Sequence, residues 1–320
     1  MKDNELKEGG PPDTFDNTLI TNYLKCPRAE YWFLRGLDFK RTPSYFTYGR
    51  ALGATLNSWH LPENQDKPLE VRKTLALLEG RKIWDQDDTE IFESRPNDTW
   101  EGLASLFELY TSAYGDREPW HQIKPEVGFR FPIPHTSLYY AGALDSYVEW
   151  TPYGVMARED KSTGAYITPG YMAQWSHVSQ ITGYIWALHQ LVEKPFGILM
   201  NVSSKRPRKE PLLRFSRELQ TRSEWRITEF IRETVIVANT IRREWDNWEW
   251  PKLGERNPYS CVGGPGLSPC LYKSLCLQEM LPWDMEESYN FDEQFSWRKS
   301  KWSPWKREGG EEDGKPTTTE

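Results

Sequence analysis

Residues 138–150, LYYAGALDSYVEW, and residues 154–163, GVMAREDKST, decide the fold. Both stretches are rich in aromatic and β-branched residues, and the turn signal TPYG separates them, so they predict a β-hairpin. Residues 126–134, EVGFRFPIP, have the same character and precede another turn signal. They predict a third strand next to the hairpin.

Helical patterns surround these strands. The predicted helices cover residues 17–34, 45–60, 69–84, 98–114, 169–192 and 221–246, and a buried strand covers residues 196–203. The N-terminal third is therefore expected to be helical. The whole order predicts a mixed α/β fold, in which a central sheet is flanked by helices.

The chain length of 320 residues suits one large domain. With 16 Trp, 16 Tyr and 13 Phe, we expect a core built on large rings. Residues 1–16 and 299–320 are polar and poor in aliphatic side chains, which predicts two disordered tails. Residues 17–298 are predicted to form a single domain.

Charge and hydropathy limit the class of protein. No apolar run approaches the roughly 20 residues of a membrane-spanning helix, and the start of the chain is acidic and polar, unlike a secretory signal. These features predict a cytoplasmic protein without a membrane partner. A net charge of −7 argues against a polycation that coats nucleic acid, but it is compatible with a DNA enzyme whose groove is locally basic.

The predicted hairpin carries an acidic and basic constellation. Glu159 and Lys161 are two residues apart, so on a strand they project from the same face, and an adjacent antiparallel strand can bring Asp145 beside them. Two carboxylates can hold Mg²⁺ or Mn²⁺, and an ammonium group can position a water or stabilise a transition state. This set suits phosphodiester hydrolysis. The alternative is a surface hairpin whose charges are merely solvated.

The motifs of the hairpin resemble those of the RecB-like PD-(D/E)XK nuclease superfamily. GALD matches its G-hydrophobic-hydrophobic-D motif, EDK matches its (D/E)-X-K motif, and QITGY in the next helix matches its Q-x-x-x-Y signature. The resemblance implies a restriction-endonuclease-like core and a metal-dependent DNA nuclease. It implies that Asp145 and Glu159 ligate metal, that Lys161 is catalytic, and that Gln180 and Tyr184 lie near the active site. One polar face of a core helix is the alternative for Gln180 and Tyr184.

The chain departs from this family at one position. Relatives carry G-x-x-x-H in the helix before the hairpin, whereas here Gly49 is followed by Gly53 where the histidine would stand. His60 or Asn57 on the same helix is a candidate replacement, and Glu126 on the preceding strand is a further candidate metal ligand. The departure also motivates an alternative function, a catalytically weakened DNA-binding scaffold.

The four cysteines form one pattern, which consists of Cys26 near the start and Cys261, Cys270 and Cys276 near the end. Intracellular thiols stay reduced, so the cysteines are better explained as metal ligands, or as free buried thiols, than as disulfides. Four thiolates suit either a 4Fe–4S cluster or Zn²⁺, and their spacing does not separate the two. The pattern resembles the iron–sulfur clasp of AddB and of CRISPR-adaptation exonucleases, in particular phage-type members. That resemblance implies a 4Fe–4S cluster that joins the two ends of the domain.

A basic run follows the predicted strand 196–203. It contains Lys205, Arg206, Arg208 and Lys209, which can bind phosphates, while nearby aromatic side chains can stack on unpaired bases. A solvated charged loop is the alternative. The resemblance implies an exonuclease that acts on single-stranded DNA or free DNA ends without sequence preference, in a prokaryotic or phage-infected cell. Trimming of DNA fragments in a CRISPR-adaptation complex is the alternative role, and a helicase or recombination protein is a further expected partner.

Overall fold

The structure is a computed structural model of the chain, and it describes residues 10–93, 95–115, 118–246, 258–262, 270–277, 291–298, 303 and 305. The described helices are α1 (Asn17–Lys25), α2 (Pro27–Leu34), α3 (Ser44–His60), α4 (Pro62–Gln65), α5 (Leu69–Gln86), α6 (Trp100–Tyr114), α7 (Pro169–Ala173), α8 (Ser179–Leu191), α9 (Glu224–Asp246), α10 (Pro258–Val262), α11 (Lys273–Leu277) and α12 (Phe291–Gln294). The described strands are β1 (Thr14–Phe15), β2 (Leu37–Phe39), β3 (Thr42–Pro43), β4 (Thr89–Glu90), β5 (His121–Pro132), β6 (Tyr139–Trp150), β7 (Gly154–Thr163), β8 (Ile198–Ser204), β9 (Phe215–Gln220) and β10 (Phe295–Trp297).

The chain divides into two compact units. The first unit comprises residues 1–40, 132–141 and 229–303, and the second comprises residues 41–131, 142–228 and 304–320. The first unit therefore contains both ends of the predicted domain and all four cysteines. The second contains the residues of the predicted active site.

The first unit combines short strands, helices that include most of α9, and aromatic packing. Strand β1 pairs in parallel with the first residues of β6, and β2 pairs antiparallel with β10. Its buried core consists of Tyr31, Trp32, Leu37, Tyr272, Leu275 and Phe295. The predicted helix 17–34 is divided at Cys26, whose backbone is extended because Pro27 follows it.

The second unit holds a mixed sheet. Strand β6 pairs with β5 and antiparallel with β7, β7 pairs in parallel with β8, and β8 pairs antiparallel with β9. The larger core cluster in this unit consists of Tyr48, Ala51, Leu52, Leu56, Trp59, Ala76, Leu103, Leu106, Phe107, Tyr110 and Phe215. The predicted mixed α/β fold, with a mixed sheet flanked by helices, is thus confirmed.

Three predicted elements differ from the structure. The predicted helix 169–192 is interrupted between α7 and α8, where the backbone at Val178 is extended. Strand β9 was not predicted. The last three residues of the predicted disordered tail 1–16 are ordered. Thr14 and Phe15 are buried in β1, and the Asp16 side chain accepts a hydrogen bond from the Leu19 amide and so caps α1.

Much of both predicted tails lies outside the described residues, including 1–9 and 306–320. Within the part of the chain that the structure describes, no helix combines the length and apolar character needed to cross a bilayer.

Candidate active site

The predicted hairpin forms, and its register sets the site. Strands β6 and β7 pair antiparallel, with Ser146 opposite Arg158. Asp145 immediately precedes Ser146, and its carboxylate accepts a hydrogen bond at 2.8 Å from the backbone N–H of Asp160, two residues after Arg158. The pairing therefore brings Asp145 beside the residue that follows Glu159, as the sequence predicted.

Glu159 and Lys161 form an ion pair on β7, with 2.5 Å between the lysine Nζ and the glutamate Oε1. Glu159 is only 2% exposed. Burial opposes the charge on Lys161, but the carboxylates of Glu159 and Asp145 outweigh it and raise the pKa of the lysine. The ammonium group therefore stays protonated between two carboxylates.

The same electrostatics act on Asp145. Burial, followed by the charges of Glu159 and Asp160, raises the pKa of this carboxyl well above its usual range, while Lys161 partly offsets the shift. Two carboxylates and the Lys161 ammonium thus share one buried site on the hairpin.

Helix α8 adds the predicted polar pair. The amide of Gln180 donates to the Tyr184 hydroxyl at 3.0 Å and reaches Oε1 of Glu159 at 3.4 Å. Gln180 and Tyr184 thus contact each other at helical i, i+4 spacing, and Gln180 contacts the acidic pair. The five residues that the resemblance singled out lie together in the second unit.

Gly142 shows why this site needs a glycine. A Cβ atom at that position would lie 2.8 Å from Cζ of Phe129 and 3.1 Å from Cε1 of Tyr184. A methyl group would have to displace one of these rings. The glycine of the GALD motif therefore leaves room for the Tyr184 ring beside the hairpin.

The opposite face of β7 carries a buried polar network that sequence reasoning missed. Asp160 accepts hydrogen bonds from Nδ2 of Asn201 at 2.6 Å and from Nε of Arg158 at 3.1 Å. Arg158 is fully buried and also donates to Oδ1 of Asn57 at 2.9 Å. The one sequence signal for it is the polar Asn201 inside the apolar stretch FGILMNVS.

His60 belongs to this second network, so it is not placed to replace the missing histidine. Its Nε2 lies 3.2 Å from the Tyr110 hydroxyl, and its ring packs 4.4 Å from the Trp120 ring, centroid to centroid. Burial, and then the charge of Arg158, lowers the pKa of His60 well below its usual value. Side chains alternate along a strand, so the Arg158 face is opposite to that of Glu159.

Asn57 and Glu126 were the other candidates for the metal shell. Asn57 holds Arg158, as described, and is therefore occupied on the same opposite face. Glu126 is exposed and adopts a positive φ of 39°. The charges that shift the pKa of Asp145 come from Glu159, Asp160 and Lys161.

The four cations of the basic run have different environments, because one is buried and three are accessible. Lys205 is buried and forms an ion pair with Asp98, and its ammonium lies 4.7 Å from the centre of the Tyr48 ring. It is a structural cation and not a phosphate ligand, which corrects the prediction for this residue. Arg206 and Lys209 are exposed and Arg208 is partly exposed, so they keep the predicted accessibility.

The four cysteines are all free thiols. Within the described residues, no three or more His, Cys, Asp or Glu side chains converge as a metal site. Their segments nevertheless approach: the Cys270 amide donates to the Cys261 carbonyl at 3.4 Å, and the Ser260 hydroxyl donates to the Lys25 carbonyl, next to Cys26. Burial raises the pKa of Cys270 to about 12, and the charges of the other three cysteines add to the shift.

Comparisons with known proteins add little. No protein-family model matches the chain, and no curated protein matches it. One similar solved structure is the crystal structure of SSO0001, which is 11% identical, covers 83% of this chain and 92% of its own, and superposes with a TM-score of 0.31. A likeness this weak supports no inference about function.

Proposed function

We propose that the protein is a nuclease that requires Mg²⁺ or Mn²⁺, with a PD-(D/E)XK core, and that it degrades or trims DNA ends. The observation that carries this proposal is the convergence of Asp145, Glu159 and Lys161 on one face of the β6–β7 hairpin. A solvated surface hairpin would not bury Glu159 to 2% exposure beside a second carboxylate whose pKa is raised.

The residues present fit a hard divalent cation. Asp145 and Glu159 supply carboxylate oxygens, the donors that Mg²⁺ and Mn²⁺ prefer. When bound, the metal would orient a water and neutralise charge on the scissile phosphate. Lys161 holds a positive charge against Glu159 and is placed to stabilise negative charge that develops on the phosphate. Gln180 orients the Glu159 carboxylate through its amide.

The test is digestion of labelled DNA by the purified chain with Mg²⁺, Mn²⁺ or no divalent metal. Glu159→Gln and Lys161→Met should each reduce cleavage by about 100-fold or more, because each removes a metal ligand or a charge that the transition state needs. The matched control is Glu149→Gln, since Glu149 is an exposed carboxylate on β6, with a side chain that is 48% exposed. This variant should cleave within about twofold of wild type.

A wild-type chain that is inert with every metal, on single-stranded and double-stranded DNA, would favour the DNA-binding scaffold over the nuclease. Gly53 motivates that alternative, because no neighbouring atom lies within 4 Å of the Cβ position there and no imidazole extends from it. Trimming of fragments within a CRISPR-adaptation complex would instead retain cleavage but need an integrase partner. The cytoplasm of a prokaryotic or phage-infected cell is the proposed setting.

We also propose that Cys26, Cys261, Cys270 and Cys276 hold a 4Fe–4S cluster. Supporting observations are that all four are free thiols within one compact unit, and that the other three charges raise the pKa of Cys270. Such mutual repulsion makes four thiolates unfavourable together unless a cation is bound. The donor set fits an iron–sulfur cluster, with Zn²⁺ as the alternative.

The cluster is tested by anaerobic purification. The protein should be brown and contain about four irons per chain if the cluster is complete. Each Cys→Ser variant should lose the colour and unfold at lower temperature, because metal binding energy contributes to folding. A colourless protein with one zinc would select the alternative metal. A metal-free protein whose four Cys→Ser variants melt like wild type would refute both.

A further inference from the structure

Two loops at one edge of the second unit's sheet form an open cleft of about 620 Å³. We call it the Tyr166 cleft. Its lining residues are Tyr166, Pro207, Arg208, Lys209, Glu210 and Leu213. One loop follows β7 and the other follows β8, and these strands are parallel, so both loops leave the sheet at the same edge.

The walls of the cleft are held to each other by hydrogen bonds. The Lys205 amide donates to the Thr163 carbonyl at 2.8 Å, and the Ser204 hydroxyl donates to the Ala165 carbonyl at 2.7 Å. Because these bonds join the two loops near the base of the cleft, its side chains are supported by the sheet.

Tyr166 organises the positive charge. The guanidinium carbons of Arg206 and Arg208 lie 4.1 Å and 4.5 Å from the centre of its ring, and the ring is 42% exposed. Cation–π contacts of this kind hold two like charges near each other without neutralising them. Arg208 lines the cleft, and Arg206 is held beside it by the same ring, so two guanidinium groups lie at the cleft.

These guanidinium groups keep capacity for an anion. Among the described residues, no carboxylate forms an ion pair with Arg206, Arg208 or Lys209, although Glu210 also lines the cleft. Arg208 donates through one terminal nitrogen to the Ile167 carbonyl at 3.2 Å, but its buried Nε has no hydrogen-bond partner in the described part of the chain. A buried donor without a partner is unfavourable until a ligand supplies an acceptor.

The cleft also has an apolar part. Pro207 lines it beside Leu213, whose side chain is 49% exposed. A cleft that combines arginines with a ring and exposed apolar side chains suits a ligand with an anionic group next to a planar ring. A nucleotide has that chemistry, and its base is accessible for such packing only when it is unpaired.

The position of the cleft suits the substrate of the candidate active site. Tyr166 follows Lys161 by five residues along the same chain segment, so their Cα atoms are at most roughly 18 Å apart. That distance corresponds to a few nucleotides of one strand.

We propose that the Tyr166 cleft binds an unpaired nucleotide of the substrate strand. Arg206 and Arg208 bind its phosphodiester, and Pro207 and Leu213 pack against its base. The inference rests on the proposed function for the identity of the ligand as nucleic acid. Lys205, which the sequence grouped with these cations, takes no part because Asp98 holds it.

The test measures binding to a fluorescein-labelled 20-nucleotide single strand by anisotropy, without divalent metal and at several salt concentrations. The double variant Arg206→Ala/Arg208→Ala should weaken binding by about 10-fold or more at moderate salt. The slope of log affinity against log salt should decrease in magnitude by about 1.4, or roughly 0.7 for each phosphate contact on a single strand. Arg206→Ala alone, at an exposed position, should decrease the magnitude of this slope by about half as much.

The matched control is Arg81→Ala/Lys82→Ala, which removes two exposed cations from α5 in the same unit. It should leave the affinity within about twofold and the slope unchanged. Equal losses in this control would show bulk charge and overturn the proposal, as would an unchanged slope in the cleft variant. Equal or tighter binding of a blunt duplex would overturn the assignment to an unpaired nucleotide.

The two proposals fail separately. If wild type binds the strand and loses binding in the cleft variant but never cleaves DNA, the cleft stands and the nuclease proposal falls. If wild type cleaves DNA but the cleft variant binds and cleaves normally, the nuclease proposal stands and the cleft proposal falls.

Discussion

Replacing Asp160 separates the stability of the β7 strand from its chemistry. Its side chain is 3% exposed and forms an ion pair with Arg158 at 2.9 Å, and the arginine side chain is completely buried. In Asp160→Ala, the guanidinium stays buried after its carboxylate partner is removed. Breaking a buried pair from one side costs about 3–5 kcal/mol.

Two remaining contacts of Arg158 reduce this loss of stability. Arg158 keeps its hydrogen bond to Asn57, and its guanidinium carbon lies 5.1 Å from the centre of the Trp120 ring. We therefore expect the lower end of the range, a decrease of about 3 kcal/mol in the free energy of unfolding. The backbone N–H that residue 160 donates to Asp145 remains in the alanine variant, so the folded fraction should cleave DNA within a few-fold of wild type.

Urea unfolding followed by tryptophan fluorescence measures the change. With a slope of about 3 kcal/mol per molar urea, the midpoint should fall by about 1 M. The double variant Arg158→Met/Asp160→Leu should recover much of the loss, because an apolar pair of similar volume leaves no buried charge. A loss below about 1 kcal/mol in Asp160→Ala, or a double variant as unstable as the summed single variants, would refute this account of the network.

Four further substitutions test other parts of the second unit. The pKa of His60 is lowered in the folded state. The free energy of unfolding should therefore be greatest above a pH of about 6.5 and fall as the pH drops below it. Urea titrations at pH 7.5 and pH 5.5 measure this decline, which should be smaller in His60→Gln than in wild type. Gly142→Ala should cost about 1–3 kcal/mol and reduce cleavage, because its methyl group displaces the Phe129 ring or the Tyr184 ring, and unchanged melting and cleavage would contradict the packing. Gly80→Ala should destabilise the fold at the contact between α3 and α5. Gly53→Ala, in open space on α3, should raise the free energy of unfolding by about 0.5–1 kcal/mol. Melting temperatures equal to that of wild type would contradict both expectations.

The hairpin was predictable because residues close together in the sequence determine it. The pleat of a strand puts every second residue of 154–163 on the same face, and the turn at residues 151–154 makes the two strands neighbours. Strand β9 was missed because FSRELQ contains only two apolar residues, Phe215 and Leu219, and so carries little local strand signal. Its position at the end of the sheet depends on pairing with β8, which no local pattern specifies.

Burial of single polar residues could not be read from the sequence. Lys205 stands among three other cations, yet Asp98, more than 100 residues earlier, decides that it is buried and paired. His60 shares a helix with the residues expected near the metal, but the ring of Trp120 and the hydroxyl of Tyr110 hold it elsewhere. Such outcomes depend on which segments meet in space, and a charge count does not contain that information.

The alternation of side chains along β7 divides four consecutive residues between two tasks. Glu159 and Lys161 face the candidate active site, while Arg158 and Asp160 face the buried network that anchors the strand. The anchored residues hold the backbone whose N–H contacts Asp145, so the position of one metal-binding candidate depends on side chains that never reach the site. Substitutions at 159 and 161 should therefore abolish cleavage, whereas substitutions at 158 and 160 should lower the free energy of unfolding and leave the folded fraction able to cleave DNA within a few-fold of wild type. A strand that served only packing would show no such alternation along its length.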